Sequence, residues 1–179
     1  MRKLTASMFM SLDGVVEAPD QWHFPYFNDE MGNVIGAAMA NSDAMMMGRV
    51  NYEEWASYWP NSESEMAGHM NGVEKYVASN TLEEVAWENS TLIEGSLTEE
   101  VPKIKASEGK DIAISGSPTL VRSLLKEGLI DELHLMTHPV VVGKGKRLFE
   151  GGESHNLELA HSETFSTGVI YAIYRPAAD

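Results

Sequence analysis

The chain has 179 residues and no cysteine, so its length is typical of one domain, and disulfides, thiolate metal sites and cysteine nucleophiles are excluded. It contains 13 Lys and Arg residues against 27 Asp and Glu residues, which gives a formal net charge of −14. Nucleic-acid binding, which needs clustered cations, is therefore not expected. A phosphorylated small molecule remains possible, because it needs only one or two local cations.

The sequence gives no sign of a membrane segment. Uninterrupted apolar stretches fall well short of the ~18 residues that a membrane helix needs. Residues 1–4 lead directly into alternating, strand-like sequence rather than into an apolar signal segment. We therefore expect one domain over residues 1–179, a cytoplasmic location and no membrane partner.

The first predicted elements are a strand and a helix. Residues 2–11 alternate in polarity and predict a strand that ends at an Asp13-Gly14 turn. A loop rich in aromatic residues follows, and Asn28 then predicts a helix N-cap. An apolar stripe at helical spacing predicts the helix itself; its members are Met31, Val34, Ile35, Ala38 and Met39.

Two apolar strands each run into a glycine and then into a helix. One strand, at residues 44–47, leads into Gly48-Arg49, and another, at 111–115, leads into Gly116-Ser117-Pro118. At such a junction, free backbone N–H groups and the positive end of the helix dipole point at one place, which suits phosphate. Each junction alone also fits an ordinary capped turn. If the two strands are neighbours, the pair predicts a dinucleotide site beyond their carboxyl ends.

The rest of the chain predicts short elements and then a run of strands. Ser96 and Glu99 fit a capping box, although Pro102 should disturb the start of that helix. The expected helices lie near 50–58, 65–70 and 118–127, and the expected strands at 76–78, 92–93, 131–142, 156–163 and 169–175. Alternating β and α segments followed by strands predict an α/β fold whose sheet begins parallel and finishes antiparallel.

His134 and His138 lie four residues apart, a spacing that would bring two imidazoles together on a helix. Their neighbours predict a strand, on which the same spacing separates the rings by roughly 13 Å. We therefore expect no metal site.

Several segments occur in an order that resembles a known family. They are residues 11–14 (Ser-Leu-Asp-Gly), 47–53 (Met-Gly-Arg-Val-Asn-Tyr-Glu), 75–82, 114–120 (Ile-Ser-Gly-Ser-Pro-Thr-Leu), 131–133 and 139–145. Together they resemble the dihydrofolate-reductase-like family, which includes the reductase domain of the bifunctional riboflavin-biosynthesis deaminase-reductase. The resemblance covers nearly the whole chain. It implies a three-layer α/β/α domain with a mixed, mostly parallel sheet, NADPH as the hydride donor, and a homodimer.

The resemblance also implies roles for individual residues. Arg49 and Ser79 match positions that hold the adenosine end of the cofactor and its 2′-phosphate, and Asn80 stands where relatives often carry a basic residue. The pyrophosphate turn and the loop beside the nicotinamide also have matches here. The full set of expected cofactor residues is Asp13, Gly14, Trp22, Gly48, Arg49, Ser79, Asn80, Ser115, Gly116, Ser117 and Thr119.

The expected substrate is a small heterocycle. Riboflavin-pathway reductases usually carry Glu-Gly-Gly where this chain has residues 115–117, and an arginine-bearing motif where it has residues 36–40. Both features are associated with the phosphoribosyl pyrimidine substrate, and both are missing here, whereas Gly48-Arg49 and Tyr52-Glu53 suggest closeness to dihydrofolate reductase. The resemblance thus implies reduction of a pteridine or pyrimidine, like either dihydrofolate reductase or 5-amino-6-(5-phosphoribosylamino)uracil reductase. A non-catalytic nucleotide- or ligand-binding protein on the same fold is the alternative.

Hydride transfer to a C=N or C=O bond also needs a proton donor. The candidates share one stretch: His23, Tyr26, Asp29 and Glu30. Asp29 and Glu30 are the predicted catalytic acids, as approximate matches to the carboxylate that holds the pterin in folate enzymes. Acids in a first helical turn also serve the helix dipole, so this structural role is the alternative.

Overall fold

The computed structural model describes residues 1–151 and 154–177. Within them the strands are β1 (Leu4–Ser11), β2 (Ser42–Gly48), β3 (Glu74–Ala78), β4 (Ser90–Leu92), β5 (Asp111–Ser115), β6 (Glu132–His138), β7 (Leu157–Thr164) and β8 (Ile170–Pro176). The α-helices are α1 (Asp29–Asn41), α2 (Arg49–Tyr58), α3 (Ala67–Gly72), α4 (Leu97–Ala106) and α5 (Pro118–Lys126). None of the helices in these ranges is long and apolar enough to cross a membrane.

All eight strands form one sheet in the order β4-β3-β2-β5-β1-β6-β8-β7. The strands from β4 to β6 are parallel, whereas β8 runs antiparallel to both β6 and β7. This mixed sheet confirms the predicted fold class. Strands β2 and β5 are neighbours, so the two strand-to-glycine-to-helix junctions lie side by side, as the dinucleotide prediction requires.

Local signals placed most element boundaries well. The side chain of Asn28 accepts a hydrogen bond of 3.0 Å from the backbone N–H of Met31 and caps α1 as predicted. Ser96 is the N-cap residue of α4, but its hydroxyl pairs with Thr98 (3.1 Å) and makes no cap bond, so the predicted capping box does not form. Pro102 lies within α4 without ending it.

Helices cover both faces of the sheet, which gives three layers. Helices α4 and α5 pack on one face, over the largest apolar cluster. On the other face, α2 and α3 pack over one cluster and α1 over a second, separate cluster. Between these two clusters the central strands present Ser7, Ala113 and Ser115, none of which is buried. The small side chains leave a gap in the middle of this face.

Candidate functional site

A cleft of about 1480 Å³ opens from this gap to the carboxyl ends of the strands. Its floor includes Ser7, Ala113 and Ser115, and its apolar walls include Ile35 of α1 and Trp55 of α2. Small-molecule sites usually measure about 300–1,000 Å³. The cleft is therefore large enough for a cofactor and a substrate together.

The two glycine junctions are joined to each other at the cleft. The backbone N–H of Gly48 donates a hydrogen bond of 3.0 Å to the Ser117 hydroxyl oxygen. The Asn51 side chain donates another, of 3.2 Å, to the carbonyl oxygen of Ser115. Ser117 has a left-handed backbone (φ +55°) and makes no cap bond to α5. Its hydroxyl therefore links the junctions instead of capping its own helix.

Gly116 leaves a concave space that a side chain would fill. Its φ is +74°, and a Cβ atom there would lie 3.0 Å from Asn51 Oδ1. The open backbone lies directly before the first turn of α5, whose N–H groups have no partners within the helix. Thr119 adds a hydroxyl that accepts a hydrogen bond of 3.3 Å from Arg122. This combination of open backbone and helix N-terminus fits a pyrophosphate group.

Arg49 is the first residue of α2 and lines the same cleft. Its guanidinium pairs with Glu53 at 2.9 Å, and the two side chains are 45% and 47% exposed. Exposed ion pairs of this kind contribute only about 0–1 kcal/mol. The guanidinium can therefore exchange Glu53 for a phosphate at little cost.

Ser79 and Asn80 line the cleft where the chain leaves β3. The Ser79 hydroxyl oxygen accepts hydrogen bonds from the backbone N–H groups of Thr81 (3.1 Å) and Leu82 (3.0 Å). These bonds hold the loop beside the cleft. The structure thus brings Gly48, Arg49, Ser79, Asn80 and residues 115–119 around one space.

The predicted nicotinamide loop is placed differently from the expectation, because Asp13, Gly14 and Trp22 do not line the cleft. The Asp13 carboxylate accepts hydrogen bonds from the Ser11 hydroxyl (2.6 Å) and from the N–H groups of Val142 (3.0 Å) and Gly143 (2.8 Å). These bonds, the Ser11 contact above all, lower the pKa of Asp13 to about 2. Asp13 therefore ties two loops together.

Trp22 contacts the same loop and the end of β6. Its indole N–H donates to the carbonyl oxygen of Glu17 (3.1 Å), and its ring contacts His138 edge-on, with centroids 5.2 Å apart. The part of the loop that reaches the cleft is residues 16–20 together with His23. Asp13, Gly14 and Trp22 themselves lie beside these lining residues and outside the cleft.

Asp29 and Glu30, the predicted catalytic acids, are exposed and do not line the cleft. One carboxylate oxygen of Glu30 accepts hydrogen bonds from the backbone N–H of Ser166 (2.7 Å), the hydroxyl of Ser166 (2.6 Å) and the side chain of Asn28 (2.7 Å). The Ser166 bonds lower the pKa of Glu30. Glu30 therefore fastens α1 to the β7–β8 turn, and the structure does not bring either acid to the expected reaction site.

A hydrogen-bonded row of polar side chains at the floor of the cleft was not predicted from the sequence. His134 Nδ1 lies 2.8 Å from the Tyr171 hydroxyl, and His134 Nε2 lies 3.2 Å from a Glu132 carboxylate oxygen. His134 and Tyr171 both line the cleft. Glu132 and His134 lie two residues apart on β6, so their side chains share one face of the strand, a signal that was present in the sequence. In the sequence, however, the spacing of His134 from His138 pointed only to a possible metal pair.

Charge and burial set the ionisation of Glu132, His134 and Tyr171. Burial alone would raise the pKa of Glu132, but hydrogen bonds from Lys3, Arg175 and His134 outweigh it and lower that pKa to about 2. Burial lowers the pKa of His134, against the opposing effect of Glu132. Burial, with Glu163 and Glu132 adding to it, raises the pKa of Tyr171 to about 12. At neutral pH, Glu132 is therefore a carboxylate, His134 is a neutral imidazole and Tyr171 is a neutral phenol.

The family comparison covers nearly the whole chain. The model of the RibD C-terminal domain family matches residues 2–171. A curated relative, the uncharacterized protein YyaP of Bacillus subtilis (strain 168), is 31% identical over 180 residues, which is 97% of this chain and 94% of the relative.

Solved structures share the fold. A protein from Shewanella sp. PV-4, provisionally named for riboflavin biosynthesis, superimposes with a TM-score of 0.78 at 22% identity, over 98% of this chain and 99% of that one. The Thermotoga maritima diaminohydroxyphosphoribosylaminopyrimidine deaminase/5-amino-6-(5-phosphoribosylamino)uracil reductase gives 0.69 at 11% identity, over 98% of this chain but 57% of that one.

Proposed function

The chain belongs to the RibD C-terminal domain family, and from this membership we propose that it is an NADPH-dependent reductase of a small pteridine- or pyrimidine-type heterocycle. One observation carries the proposal. The junctions at Gly48 and Gly116 are joined by the Ser117 hydroxyl and open into a cleft with room for two ligands. Such paired junctions suit a dinucleotide.

The cofactor would be held at three places. The backbone around Gly116 and the N-terminus of α5 would hold the pyrophosphate. Arg49 would hold the 2′-phosphate, since its forked guanidinium suits phosphate and its present partner is exposed. When bound, a reduced nicotinamide supplies a hydride.

The substrate would occupy the apolar part of the cleft. Ile35 and Trp55 provide opposite walls there, and such surfaces suit a flat heterocycle. Among the described residues that line the cleft, Arg49 and Lys146 are the lysines or arginines. With Arg49 assigned to the cofactor, Lys146 is the candidate partner for a substrate phosphate. Replacing Lys146 by Ala should therefore raise KM for 5-amino-6-(5-phosphoribosylamino)uracil and leave KM for dihydrofolate unchanged.

Thermal melting with NADPH and with NADH tests the cofactor assignment. A ligand at a hundredfold excess over its Kd stabilises the fold by about 2.7 kcal/mol. We expect NADPH to raise Tm more than NADH at equal concentration, and Arg49→Ala to remove the difference. Lys103→Ala is the matched control, because Lys103 also forms an ion pair within one helix, with Glu100, and lies outside the cleft. An equal response of the wild type to both cofactors would remove the role of Arg49.

Turnover tests the reaction. We expect loss of the dihydronicotinamide absorbance when either dihydrofolate or 5-amino-6-(5-phosphoribosylamino)uracil is added with NADPH. Binding of NADPH without turnover of either substrate would favour the alternative, a non-catalytic nucleotide-binding protein. The proposal includes a homodimer, which sedimentation equilibrium tests.

A further inference from the structure

We propose that Tyr171 is the residue that gives a proton to the substrate, and that His134, held in place by Glu132, restores that proton. The inference rests on the proposed reductase function and names the acid that such a reaction needs. Tyr171 is the proposed catalytic residue, whereas His134 and Glu132 are positioning residues, which act through it.

The hydrogen bonds between Glu132, His134 and Tyr171 fix which atom donates and which accepts at each step. Because the ionised carboxylate of Glu132 can only accept, the Nε2 atom of His134 carries a proton and donates it across 3.2 Å. In the neutral ring, Nδ1 is then the acceptor and takes the Tyr171 hydroxyl proton across 2.8 Å. When the ring is protonated, Nδ1 becomes a donor to the phenol oxygen, and the Tyr171 proton is free to face the cleft.

Lys3 and Arg175 hold the Glu132 carboxylate in place. The Glu132 carboxylate accepts from Lys3 Nζ (2.9 Å) and from Arg175 Nη2 (2.8 Å) and Nε (3.1 Å). These cations keep Glu132 ionised, and its side chain is only 11% exposed. A carboxylate that is fixed and charged in this way orients the imidazole to which it is hydrogen-bonded and stabilises the protonated form of that ring.

The sheet register places the hydrogen-bonded residues Glu132, His134 and Tyr171 near the predicted cofactor turn. Ser115 of β5 pairs with Ser7 of β1, and Ser7 pairs with His134 of β6. The three side chains therefore form a row across adjacent strands, on the face where the cleft lies. With strands about 4.8 Å apart, the row spans roughly 10 Å. It leads from the Gly116 turn to the His134–Tyr171 pair.

The proton balance follows from these bonds. Reduction of a C=N or C=O bond adds a hydride to carbon, and the electron pair of the broken π bond stays on the heteroatom. That heteroatom takes the Tyr171 hydroxyl proton, and the phenolate takes the Nδ1 proton of protonated His134. Neutral His134 keeps its Nε2 proton on the Glu132 carboxylate. Solvent then returns one proton to His134, so each reduction consumes one hydride and one proton.

The direction of the pH dependence follows. Reduction needs protonated His134, whose pKa burial lowers from its ordinary value of 6.5. The rate should therefore fall as pH rises through that pKa, by about tenfold for each pH unit above it. The charged groups around the pair are Glu132 on β6, Lys3 before β1, Asp111 on β5, Glu163 and His161 on β7, and Arg175 on β8.

His23 is the competing donor, because it also lines the cleft. Its ring stacks on Phe9 with centroids 4.6 Å apart and lies 4.3 Å from the ring of Phe24. Burial and then His138 lower its pKa, while Asp20 opposes them. No carboxylate hydrogen-bonds to its ring within the described residues, in contrast to His134. His23→Gln is therefore the comparison that separates the two donors.

Steady-state kinetics of Tyr171→Phe, His134→Gln and Tyr174→Phe provide the test, with NADPH and either dihydrofolate or 5-amino-6-(5-phosphoribosylamino)uracil as probes. Tyr174 is the matched control, because it lies on the same strand and packs against the opposite face of the sheet. We expect Tyr171→Phe to lower kcat about 100-fold or more and to leave the Kd for NADPH unchanged. His134→Gln should remove the pH dependence, and Tyr174→Phe should behave as the wild type.

Nitrogen-detected NMR of the histidine rings gives a readout that does not depend on turnover. We expect the Nε2–H tautomer for neutral His134 and a shift of its Nδ1 signal in Tyr171→Phe. The opposite tautomer, or an unmoved Nδ1 signal, would overturn the proposal. So would a kcat of Tyr171→Phe close to that of the wild type, or a pH dependence that His23→Gln removes and His134→Gln retains. If the wild type binds NADPH but reduces neither probe, the proposed function fails first, and this inference fails with it.

Discussion

The hydroxyl oxygen of Ser117 accepts a hydrogen bond from the backbone N–H of Gly48, at 3.0 Å. One side chain thereby joins the ends of β2 and β5, the two neighbouring strands that lead into helices. Ser117 makes this bond with a left-handed backbone (φ +55°), which is unfavourable for a residue other than glycine. A strained residue that links the two turns proposed to bind phosphate is consistent with a functional site.

Ser117→Ala and Ser117→Gly should therefore differ in stability. Both lose the acceptor for Gly48, which should cost about 1 kcal/mol. Glycine also relieves the left-handed strain, so Ser117→Gly should recover part of this loss. Urea unfolding measures the difference. If Ser117→Ala is as stable as the wild type, the bond does not contribute to the fold.

Gly116→Ala should weaken cofactor binding as well as stability. The new Cβ atom would lie 3.0 Å from Asn51 Oδ1 at a φ of +74°, which should cost about 1–3 kcal/mol of unfolding free energy. It would also occupy the proposed pyrophosphate space, and loss of one charged hydrogen bond corresponds to about tenfold or more in Kd.

Gly68→Ala is the control for this prediction, measured in the same titration with NADPH. Gly68 lies in α3, outside the cleft, and has nothing within 4 Å of a Cβ atom. Its replacement should leave the Kd unchanged. Equal Kd values for Gly116→Ala and the wild type would show that the turn does not hold the cofactor.

Glu132 should contribute stability that is lost in acid. Its pKa is lowered to about 2 in the folded chain from 4.5, so the folded state binds the proton less tightly than the unfolded state. The contribution is therefore complete above pH 4.5 and is lost as pH falls through about 2. At about 1.4 kcal/mol for each pKa unit, it is on the order of 3 kcal/mol.

Glu132→Gln should remove this part of the pH dependence and lower stability at neutral pH by about 2–3 kcal/mol. Chemical unfolding between pH 5 and pH 2 measures it. Glu100→Gln, which removes the partner of exposed Lys103, should change stability by less than about 1 kcal/mol. A Glu132→Gln variant with the acid profile of the wild type would contradict the assigned ionisation.

Local signals were sufficient for much of the fold. Asn28 marked the start of α1 because its side chain bonds directly to the backbone three residues later. The glycine junctions at 48 and 116 were visible because a strand, a glycine and a helix follow one another in the sequence. Ser96 marked the start of α4 correctly, but its hydroxyl found Thr98 instead of the helix backbone.

Long-range pairings decided the rest of the site and could not be read from one segment. Asp13 was expected beside the nicotinamide, yet the N–H groups of Val142 and Gly143 occupy its carboxylate. Tyr171 reaches His134 only because β8 returns antiparallel beside β6. The position of β8 beside β6 could not be read from the sequence, so the proton donor was predicted near Asp29 instead.

The most direct test of the account is a crystal structure of the protein with NADPH. We expect the pyrophosphate against the backbone of residues 116–119 and the 2′-phosphate within hydrogen-bond distance of Arg49. We also expect the nicotinamide on the floor of the cleft, towards Tyr171. A cofactor bound elsewhere, with the Gly48 and Gly116 junctions left to solvent, would contradict the account.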